Sequence, residues 1–461
     1  MHDPDKNSRR QFVKQVAKGG ILAGSSLSLN PWSILKKESQ DQIDSNDKIQ
    51  VAAIGLGIMG FSNCRTISQI DGIKVIAGCD LYKGRLKRAK ELYGNSLVTT
   101  EHYEEILERD DVDAVLISTS DHWHDKISIA AMKAGKAVYC EKPMVHRLDE
   151  GHEVIKTQQS TGKVFQVGSQ RVSSQVYLKA KELFESGTIG ELNLAEIWYD
   201  RQSALGAWQY SIPPDASEDT VNWEKFLGDA PRVRFDATRF FRWRNYQDYG
   251  TGVAGDLFVH LFSGLHLITS SNGPERIYAT GGLRYWKDGR DVPDVIIGSY
   301  DYPATDRHPA FNVQMRVNFI DGGGGGSMIR LVGSEGVMTI GSRDVHVKHR
   351  IMPEAPGYGG WDSFNTFEKA TQNVFEANYK KNYRKEESSP KKKEDIQFST
   401  PSGYNAHRAH MQNFVDSIRN GKPVIEDATF GLRAAGPALA SNLSYFEKKI
   451  VHWDPINMKV L

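Results

Sequence analysis

The order of apolar and polar residues divides the chain into two regions. Between residues 49 and 165, short apolar runs at 51–54, 75–79, 114–119 and 137–140 alternate with longer segments in which apolar residues recur at helical spacing. Short, uniformly apolar runs are typical of strands buried on both faces of a parallel sheet, and strands that alternate with helices form βαβ units. We therefore predict an α/β domain with a doubly wound parallel sheet over this region.

The pattern changes after residue 165. A short strand at 164–167 begins the second region, and few helices interrupt the strand-like runs that follow, at 192–199, 277–281, 295–302, 311–319, 327–332 and 337–340. We therefore predict that residues 166–461 form an α+β domain with a large, mostly antiparallel open sheet, one face of which packs on its own helices. The two last helical segments, at 407–419 and 431–446, are expected to pack back on the protein.

The first apolar run leads directly into a glycine-rich turn, Gly55-Leu56-Gly57-Ile58-Met59-Gly60. In a Gly-x-Gly-x-x-Gly turn, the first glycine permits the tight turn, the second lets the backbone approach a pyrophosphate, and the third lets the helix pack closely on the strand. The N-terminus of that helix supplies free N–H groups to phosphates. We therefore assign all of these residues except Leu56 to a dinucleotide-binding turn. The alternative is a flavodoxin-like turn that binds no nucleotide.

Asp80 follows the second apolar run, twenty residues after Gly60. A carboxylate at this position accepts hydrogen bonds from the adenosine ribose hydroxyls and repels a 2′-phosphate. The expected cofactor is therefore NAD rather than NADP. Lys83 and Arg85 follow closely, however, and could partly accommodate a 2′-phosphate.

Polar residues also follow the later strands. Thr119 and His122 come at the end of the third apolar run, and Lys142 comes after the fourth. Ligands of doubly wound sheets lie beyond the carboxyl ends of the strands, so these residues should meet at one site. Besides the glycine turn, the residues that we expect around the nucleotide are Asp80, Arg85, Thr119, His122, His124, Glu141, Lys142 and Gln170.

Composition narrows the range of partners. The chain has 58 Lys and Arg against 57 Asp and Glu, so its charge balance does not call for nucleic acid or an acidic membrane surface. Cys64, Cys79 and Cys140 fall in or near the predicted core of the first domain, so we expect no disulfide framework. We expect no metal site either, because no zinc spacing is present, and His122 and His124 would be its only nucleus.

The N-terminal residues indicate a targeting signal. Ser8-Arg9-Arg10-Gln11-Phe12-Val13-Lys14 precedes a mildly apolar run at 19–29 that is too short and too polar to span a membrane. This pattern resembles the signal for twin-arginine export of folded proteins in bacteria. We therefore expect residues 1–48 to be a signal peptide and linker, and the protein to load its cofactor before it reaches the periplasm.

Three residues carry the chemistry that we expect. Hydride transfer from a carbinol needs a base for the hydroxyl proton and groups that orient the alkoxide. Lys142 lies at a strand end beside the expected nicotinamide and can act as the base. Asp256 and His260 are four residues apart, which places them on one side of a helix. His260 is expected to carry protons because imidazole titrates near neutral pH, and Asp256 to hold a substrate hydroxyl or orient Lys142.

The motifs together resemble the Gfo/Idh/MocA family, which includes glucose–fructose oxidoreductase and inositol dehydrogenase. The resemblance rests on the glycine turn, on Cys79-Asp80, on residues 118–124, on Glu141-Lys142-Pro143, and on the Asp-x-x-x-His spacing of Asp256 and His260. The family usually has proline where this chain has Ser120. The resemblance implies an NAD-dependent oxidoreductase of sugars or polyols that forms a dimer or tetramer through the outer face of its C-terminal sheet.

An irregular insertion at residues 201–250 is rich in Trp, Arg and Tyr and ends just before Asp256. Sugar rings stack on aromatic faces, and sugar hydroxyls bond to guanidinium groups. The substrate-contacting residues that we expect are therefore Arg171, Trp243, Tyr246, Asp256 and His260. Ordinary loop packing is the alternative explanation for the aromatic residues of the insertion.

Three functions remain open at this point. The first is an exported oxidoreductase that acts on a saccharide or polyol hydroxyl with tightly held NAD. The second, which the resemblance allows, is a glycosidase that oxidises its substrate transiently and would need a further acid such as Tyr246 or His266. The third is a non-catalytic sugar- or nucleotide-binding module.

The export signal can be tested directly. Replacement of Arg9 and Arg10 with lysine should retain the protein in the cytoplasm, because the twin-arginine pathway recognises the arginine pair. Cell fractionation measures the distribution of the protein. Accumulation of the double variant in the periplasm would contradict the predicted signal.

Overall fold

The computed structural model describes residues 48–391 and 393–461, so the predicted twin-arginine segment lies outside the described residues. A parallel six-stranded sheet in the order β3-β2-β1-β4-β5-β6 forms the first domain, as predicted. Its strands are β1 (Ile49–Ile54), β2 (Ile73–Cys79), β3 (Val98–Thr100), β4 (Ala114–Ile117), β5 (Ala137–Cys140) and β6 (Phe165–Val167). The predicted domain boundary at residue 165 therefore falls inside β6, which pairs with β5 rather than with the second sheet.

Helices cover both faces of this sheet. They are α1 (Ile58–Ile67), α2 (Lys83–Tyr93), α3 (Tyr103–Leu107), α4 (His124–Lys133) and α5 (Gly151–Thr161). Side chains alternate along β1, so that Val51 belongs to one apolar cluster and Ile54 to another on the opposite face. This arrangement is the reason that the strands are apolar throughout rather than alternating.

The second domain contains a ten-stranded sheet in the order β14-β13-β12-β11-β7-β10-β9-β8-β15-β16. All of its pairings are antiparallel except that of β7 with β10, which agrees with the predicted mostly antiparallel sheet. Its strands are β7 (Leu192–Asp200), β8 (Arg276–Gly282), β9 (Val295–Tyr302), β10 (Phe311–Asn318), β11 (Gly326–Gly333), β12 (Gly336–Ile340), β13 (Asp344–His349), β14 (Ile396–Ser399), β15 (Val451–Asp454) and β16 (Lys459–Val460).

Some helices of the second region pack on its sheet, and others lie in the insertion or on the surface. The helices of this region are α6 (Gln175–Glu185), α7 (Trp223–Leu227), α8 (Ala237–Phe241), α9 (Val259–Thr269), α10 (Lys369–Asn382), α11 (Ala406–Asn420) and α12 (Ala428–Glu447). Met411 and Phe414 of α11 are buried in the same cluster as Val51 of β1. Helix α11 therefore packs against the first domain. Within the described residues, no helix is both long enough and apolar enough to cross a bilayer.

The segment that carries Asp256 is not a regular α-helix. Ala254–Phe258 form a π-helical turn that continues directly into α9, where His260 is the second residue. Turns of this kind are rare and are frequently found at functional sites. Asp256 and His260 therefore lie on one continuous helical segment, as predicted, but Asp256 is in its π turn and His260 is in the α-helix that follows.

Candidate functional site

One cavity lies beyond the carboxyl ends of β1, β2, β4 and β5 and is closed on its other side by the insertion and the start of α9. Most of the residues that the sequence pointed to line this cavity. They are Gly55, Gly57, Ile58, Met59, Asp80, Arg85, Thr119, Glu141, Lys142, Gln170, Trp243, Asp256 and His260. The convergence of strand ends on one site is therefore present in the structure.

The glycine turn has the geometry that a bound dinucleotide needs. Gly55 has φ +90°, and a Cβ atom there would lie 2.5 Å from the carbonyl oxygen of Ser118. A Cβ at Gly60 would lie 1.9 Å from the carbonyl oxygen of Gly55, so this glycine permits close packing and does not itself line the cavity. Gly57 caps α1 without a side-chain hydrogen bond, which leaves the first amides of the helix available to phosphate.

Asp80 is held rigidly at the end of β2. Its carboxylate accepts hydrogen bonds from the backbone N–H groups of Leu56 at 2.7 Å and Tyr82 at 2.9 Å. Arg85 lies 3.4 Å from the same carboxylate, and its guanidinium is 5.3 Å from the ring centre of Phe241. The carboxylate is thus oriented before any ligand binds, and a cation stands beside it.

Lys142, Asp256 and Arg244 form a buried ionic cluster in the same cavity. The Lys142 Nζ donates to the Asp256 Oδ1 and to the Asp256 main-chain oxygen, both at 2.8 Å. The Arg244 Nε lies 3.2 Å from the same Oδ1. Burial alone would favour the neutral acid, but the two cations hold the pKa of Asp256 well below its ordinary value. Asp256 is therefore a carboxylate that two cations share.

His260 differs from its predicted role as a group that titrates near neutral pH. Burial, with Lys142 and Arg171 nearby, holds the pKa of its imidazole well below the ordinary value of 6.5. The ring is therefore neutral. In the described part of the chain, its Nδ1 is buried and has no hydrogen-bond partner. A buried polar atom of this kind is normally satisfied by a ligand or a water molecule.

His122 and His124 do not line the cavity, which corrects the prediction that they contact the nucleotide. The His122 Nε2 lies 2.8 Å from the carbonyl oxygen of Phe226, and burial lowers the pKa of this imidazole to about 4. The His124 Nδ1 lies 2.7 Å from the carbonyl oxygen of Pro143. These histidines connect loops around the site, and His124 supports the turn that follows Lys142.

Two predicted substrate contacts are also misplaced. Arg171 lies behind the cavity, where its guanidinium donates to the Ser327 Oγ at 2.9 Å and is 4.5 Å from the ring centre of Tyr199. Tyr246 is buried in the aromatic cluster of the insertion, with Arg239 over its ring. The sequence identified both as aromatic or basic residues near the site, but packing turns them away from it.

The residues that line the substrate half of the cavity without having been selected by the sequence analysis include Arg201, Tyr210 and Arg244. Arg201 follows the last residue of β7, and Arg244 lies beside Trp243 in the insertion. A polar residue at the end of a strand was an available signal for Arg201. Nothing in the local sequence distinguishes Tyr210 from the other tyrosines of the insertion.

Glu141 lies at the floor of the cavity beside Lys142. It accepts a hydrogen bond from the Asn63 Nδ2 at 3.0 Å, and burial raises the pKa of its carboxyl group from 4.5 to about 7. The protonation of a cavity-lining group therefore changes near neutral pH, but this group is a glutamate and not the predicted histidine.

Comparisons with known proteins support a nucleotide-binding site. Residues 49–169 match an oxidoreductase family described by its NAD-binding Rossmann fold. Inositol 2-dehydrogenase from Salmonella typhimurium is 30% identical over 145 residues, which are 31% of this chain and 43% of that protein. An alpha-N-acetylgalactosaminidase from Shewanella oneidensis is 29% identical over 239 residues, 47% of this chain and 50% of that protein. The chain thus spans half or less of the length of these relatives.

Solved structures share the fold over most of the chain. A levoglucosan dehydrogenase in complex with NADH and levoglucosan has a TM-score of 0.61 at 16% identity, with 88% of this chain and 99% of that chain covered. Myo-inositol 2-dehydrogenase from Lactobacillus plantarum has a TM-score of 0.59 at 20% identity, with the same coverage. At these identities the likeness shows the common fold of both domains.

The buried Glu141 generates a prediction on stability. A carboxyl group whose pKa is higher in the folded protein favours folding when protonated, so its contribution is present below its unfolded pKa and is lost as the pH rises through about 7. The unaltered protein should lose this contribution between about pH 5 and about pH 8, whereas Glu141→Gln has no such group to titrate. The unfolding free energy of the variant, relative to that of the unaltered protein, should therefore be higher at about pH 8 than at about pH 5, by a few kcal/mol at most. Urea unfolding at both pH values measures the difference.

Glu91→Gln, on the exposed face of α2, is the matched control because it removes a carboxylate without changing a buried site. Its effect should be the same at both pH values. If Glu141→Gln also shows no dependence on pH, the Glu141 carboxyl group does not titrate in this range.

Proposed function

We propose, from the premise that residues 49–169 of this chain belong to the Gfo/Idh/MocA oxidoreductase family, that the protein is an NAD-dependent oxidoreductase of a saccharide or polyol. The observation that carries this proposal is the contact of Lys142 with the Asp256 carboxylate in the same cavity as the glycine turn. The similarity to proteins named inositol 2-dehydrogenase, and the fold shared with a levoglucosan dehydrogenase, support the class of substrate.

The residues at the strand ends fit a dinucleotide. The turn at Gly55 and Gly57 and the first amides of α1 would hold the pyrophosphate, and Asp80 would accept hydrogen bonds from the adenosine ribose. Ile58 fits a flat apolar ring, because it lines the cavity and is 65% exposed there. When bound, the nicotinamide accepts or returns the hydride.

The other half of the reaction is a proton transfer that this chain performs. As the C–H hydride leaves the substrate carbon, the hydroxyl proton would pass to the Lys142 Nζ in its uncharged amine form, once the ammonium has released a proton to solvent, and a C=O bond would form. Asp256 and its bond to Lys142 fix the position of Nζ, and Arg244 shares the carboxylate from the other side. The neutral His260 accepts a hydrogen bond from a substrate hydroxyl and orients it.

The insertion supports tight retention of the nucleotide. Its backbone bonds to the segment after β2, where the Lys83 N–H donates to Thr220 and the Asn222 N–H donates to Leu81. The Tyr82 hydroxyl also donates to Asp215 at 2.5 Å. These contacts extend the cavity wall over the nucleotide half. Our proposal therefore includes a cofactor that stays bound through export to the periplasm.

A glycosidase is the second candidate. The alignment with the alpha-N-acetylgalactosaminidase covers 47% of this chain, against 31% for the inositol dehydrogenase. Neither acid that we considered fits, because Tyr246 is buried in its cluster and His266 is bonded to the Tyr302 hydroxyl at 2.8 Å. Tyr210, which lines the cavity, is the available acid for a leaving oxygen. Release of nitrophenol from 4-nitrophenyl N-acetyl-galactosaminide without net nucleotide reduction would favour this candidate over net oxidation.

The choice of NAD over NADP is tested at Asp80. The unaltered protein should prefer NAD because a buried, oriented carboxylate repels a 2′-phosphate. Asp80→Ala should reduce the ratio of the NADP to the NAD dissociation constant by about tenfold or more, because it removes the repulsion and frees Arg85. Calorimetric titration with both nucleotides measures this ratio. A preference for NADP in the unaltered protein would show that Arg85 and not Asp80 decides the cofactor.

The role of Lys142 is tested by its removal. Lys142→Ala should still bind NAD but lower the rate of hydride transfer by about a hundred- to ten-thousandfold, because the proton acceptor is lost. Nucleotide binding and single-turnover reduction are measured on the same preparation. Lys126→Ala is the control, since Lys126 pairs with Asp229 outside the cavity.

The double variant of Lys142 and His260 should lose little more hydride-transfer rate than the worse of the two single variants, because the two residues act on one proton path. Strict additivity of the two losses would show that the residues act separately.

A further inference from the structure

The substrate half of the cavity carries more positive than negative charge. Lys142, Arg201 and Arg244 line it, and Asp256 is the carboxylate between them. The bonds to Asp256 come from Lys142 at 2.8 Å and Arg244 at 3.2 Å. One carboxylate thus faces two cations, and a third cation lines the same space.

Arg201 forms no direct ion pair with any residue that the structure describes, although the charge of Asp256 acts on it over a longer distance. Its Nη1 donates to the carbonyl oxygen of Gly206 at 2.7 Å, and its guanidinium lies 5.1 Å from the ring centre of Tyr199 and 5.5 Å from that of Phe319. Among residues 48–391 and 393–461, no carboxylate lies within ion-pair distance of Arg201. The aromatic rings and one carbonyl therefore hold a charged, planar donor in place without neutralising it.

The neighbouring groups do not remove this surplus. Glu141 is the other acid at this end of the cavity, and burial raises the pKa of its carboxyl group to about 7. The Asp121 carboxylate is buried outside the cavity lining, where it accepts two hydrogen bonds from Thr251 and acts on Arg244 over a longer distance, so it offsets part of the positive charge. Arg171, behind Tyr199, adds a further positive charge. An oxidised nicotinamide ring would add another.

We propose that the substrate is a saccharide that bears an anionic group, namely a carboxylate, a sulfate or a phosphate, which Arg201 and Arg244 bind. Guanidinium groups bind planar or tetrahedral oxyanions through two parallel hydrogen bonds, and such bonds are the stronger ones in partly buried sites. A neutral sugar would leave partly buried cations without a counter-charge, which is unfavourable. This inference rests on the proposed function, because it names the substrate class of the same site.

The test compares matched sugars that differ only at one carbon. The NAD-loaded protein is titrated by calorimetry with D-glucose, D-glucuronate, glucose 6-sulfate and glucose 6-phosphate, and with the corresponding galactose series. At least one anionic sugar should bind about tenfold or more tightly than its neutral parent. The member that binds best distinguishes the carboxylate from the sulfate and the phosphate.

Variants assign the effect to the two arginines. Arg201→Gln and Arg244→Gln should each reduce the preference for the anionic over the neutral sugar by about tenfold. Arg239→Gln is the matched control, because Arg239 lies in the same insertion but pairs with Asp248 and does not line the cavity. The Arg239→Gln variant should prefer the anionic over the neutral sugar as strongly as the unaltered protein does.

Two results would overturn the inference: no anionic sugar binds better than its parent, or Arg201→Gln keeps the full preference. Nucleotide reduction, measured in parallel, reports separately on the proposed function. Preferential binding of an anionic sugar without oxidation of any sugar would support the binding of an anionic group by the two arginines and contradict the proposed oxidoreductase. Oxidation of neutral sugars only would support the proposed oxidoreductase and overturn the inference of an anionic substrate.

Discussion

The shared carboxylate of Asp256 connects every part of this structure that bears on function. Lys142 comes from the first domain, Asp256 from the start of α9 in the second, and Arg244 from the insertion. A buried charge is tolerated only when it is paired, so each of the three segments must keep its place for the other two to be stable. The same constraint fixes the end of β5 against the π turn. The geometry of the reacting groups therefore depends on this cluster, while apolar packing across both domains also holds the domains together.

The electrostatic surroundings of this cluster account for the properties of its neighbours. The cations that keep Asp256 ionised also help burial to keep His260 neutral. His260 is thereby available as a hydrogen-bond acceptor for a hydroxyl and not as a charged acid. Glu141, at the floor of the cavity, is instead the group whose protonation changes near neutral pH. The nearby positive charges therefore keep the carboxylate ionised and add to burial in keeping the imidazole neutral.

The two halves of the cavity are supported by different kinds of observation. Most of the nucleotide half lies within residues 49–169, where the family match and the glycine turn agree. The substrate half is built from β7, the insertion and α9, which contribute Arg201, Tyr210 and His260. Relatives named as an inositol dehydrogenase and as an N-acetylgalactosaminidase both align with parts of the chain, so the alignments alone do not choose a substrate. We therefore base the proposed substrate class on the charges that line the second half.

The sequence by itself determined the first domain, the class of the second and the convergence of Gly55, Asp80 and Lys142. These follow from local rules, because apolar periodicity defines strands and helices and the carboxyl ends of parallel strands share one edge. Only the tertiary structure decided that Tyr246 is buried, that His122 and His124 support loops, and that Arg201 enters the cavity. The direction of a side chain in an irregular insertion, and the pKa of a group such as His260 or Glu141, depend on residues that are distant in sequence and meet only in the folded protein.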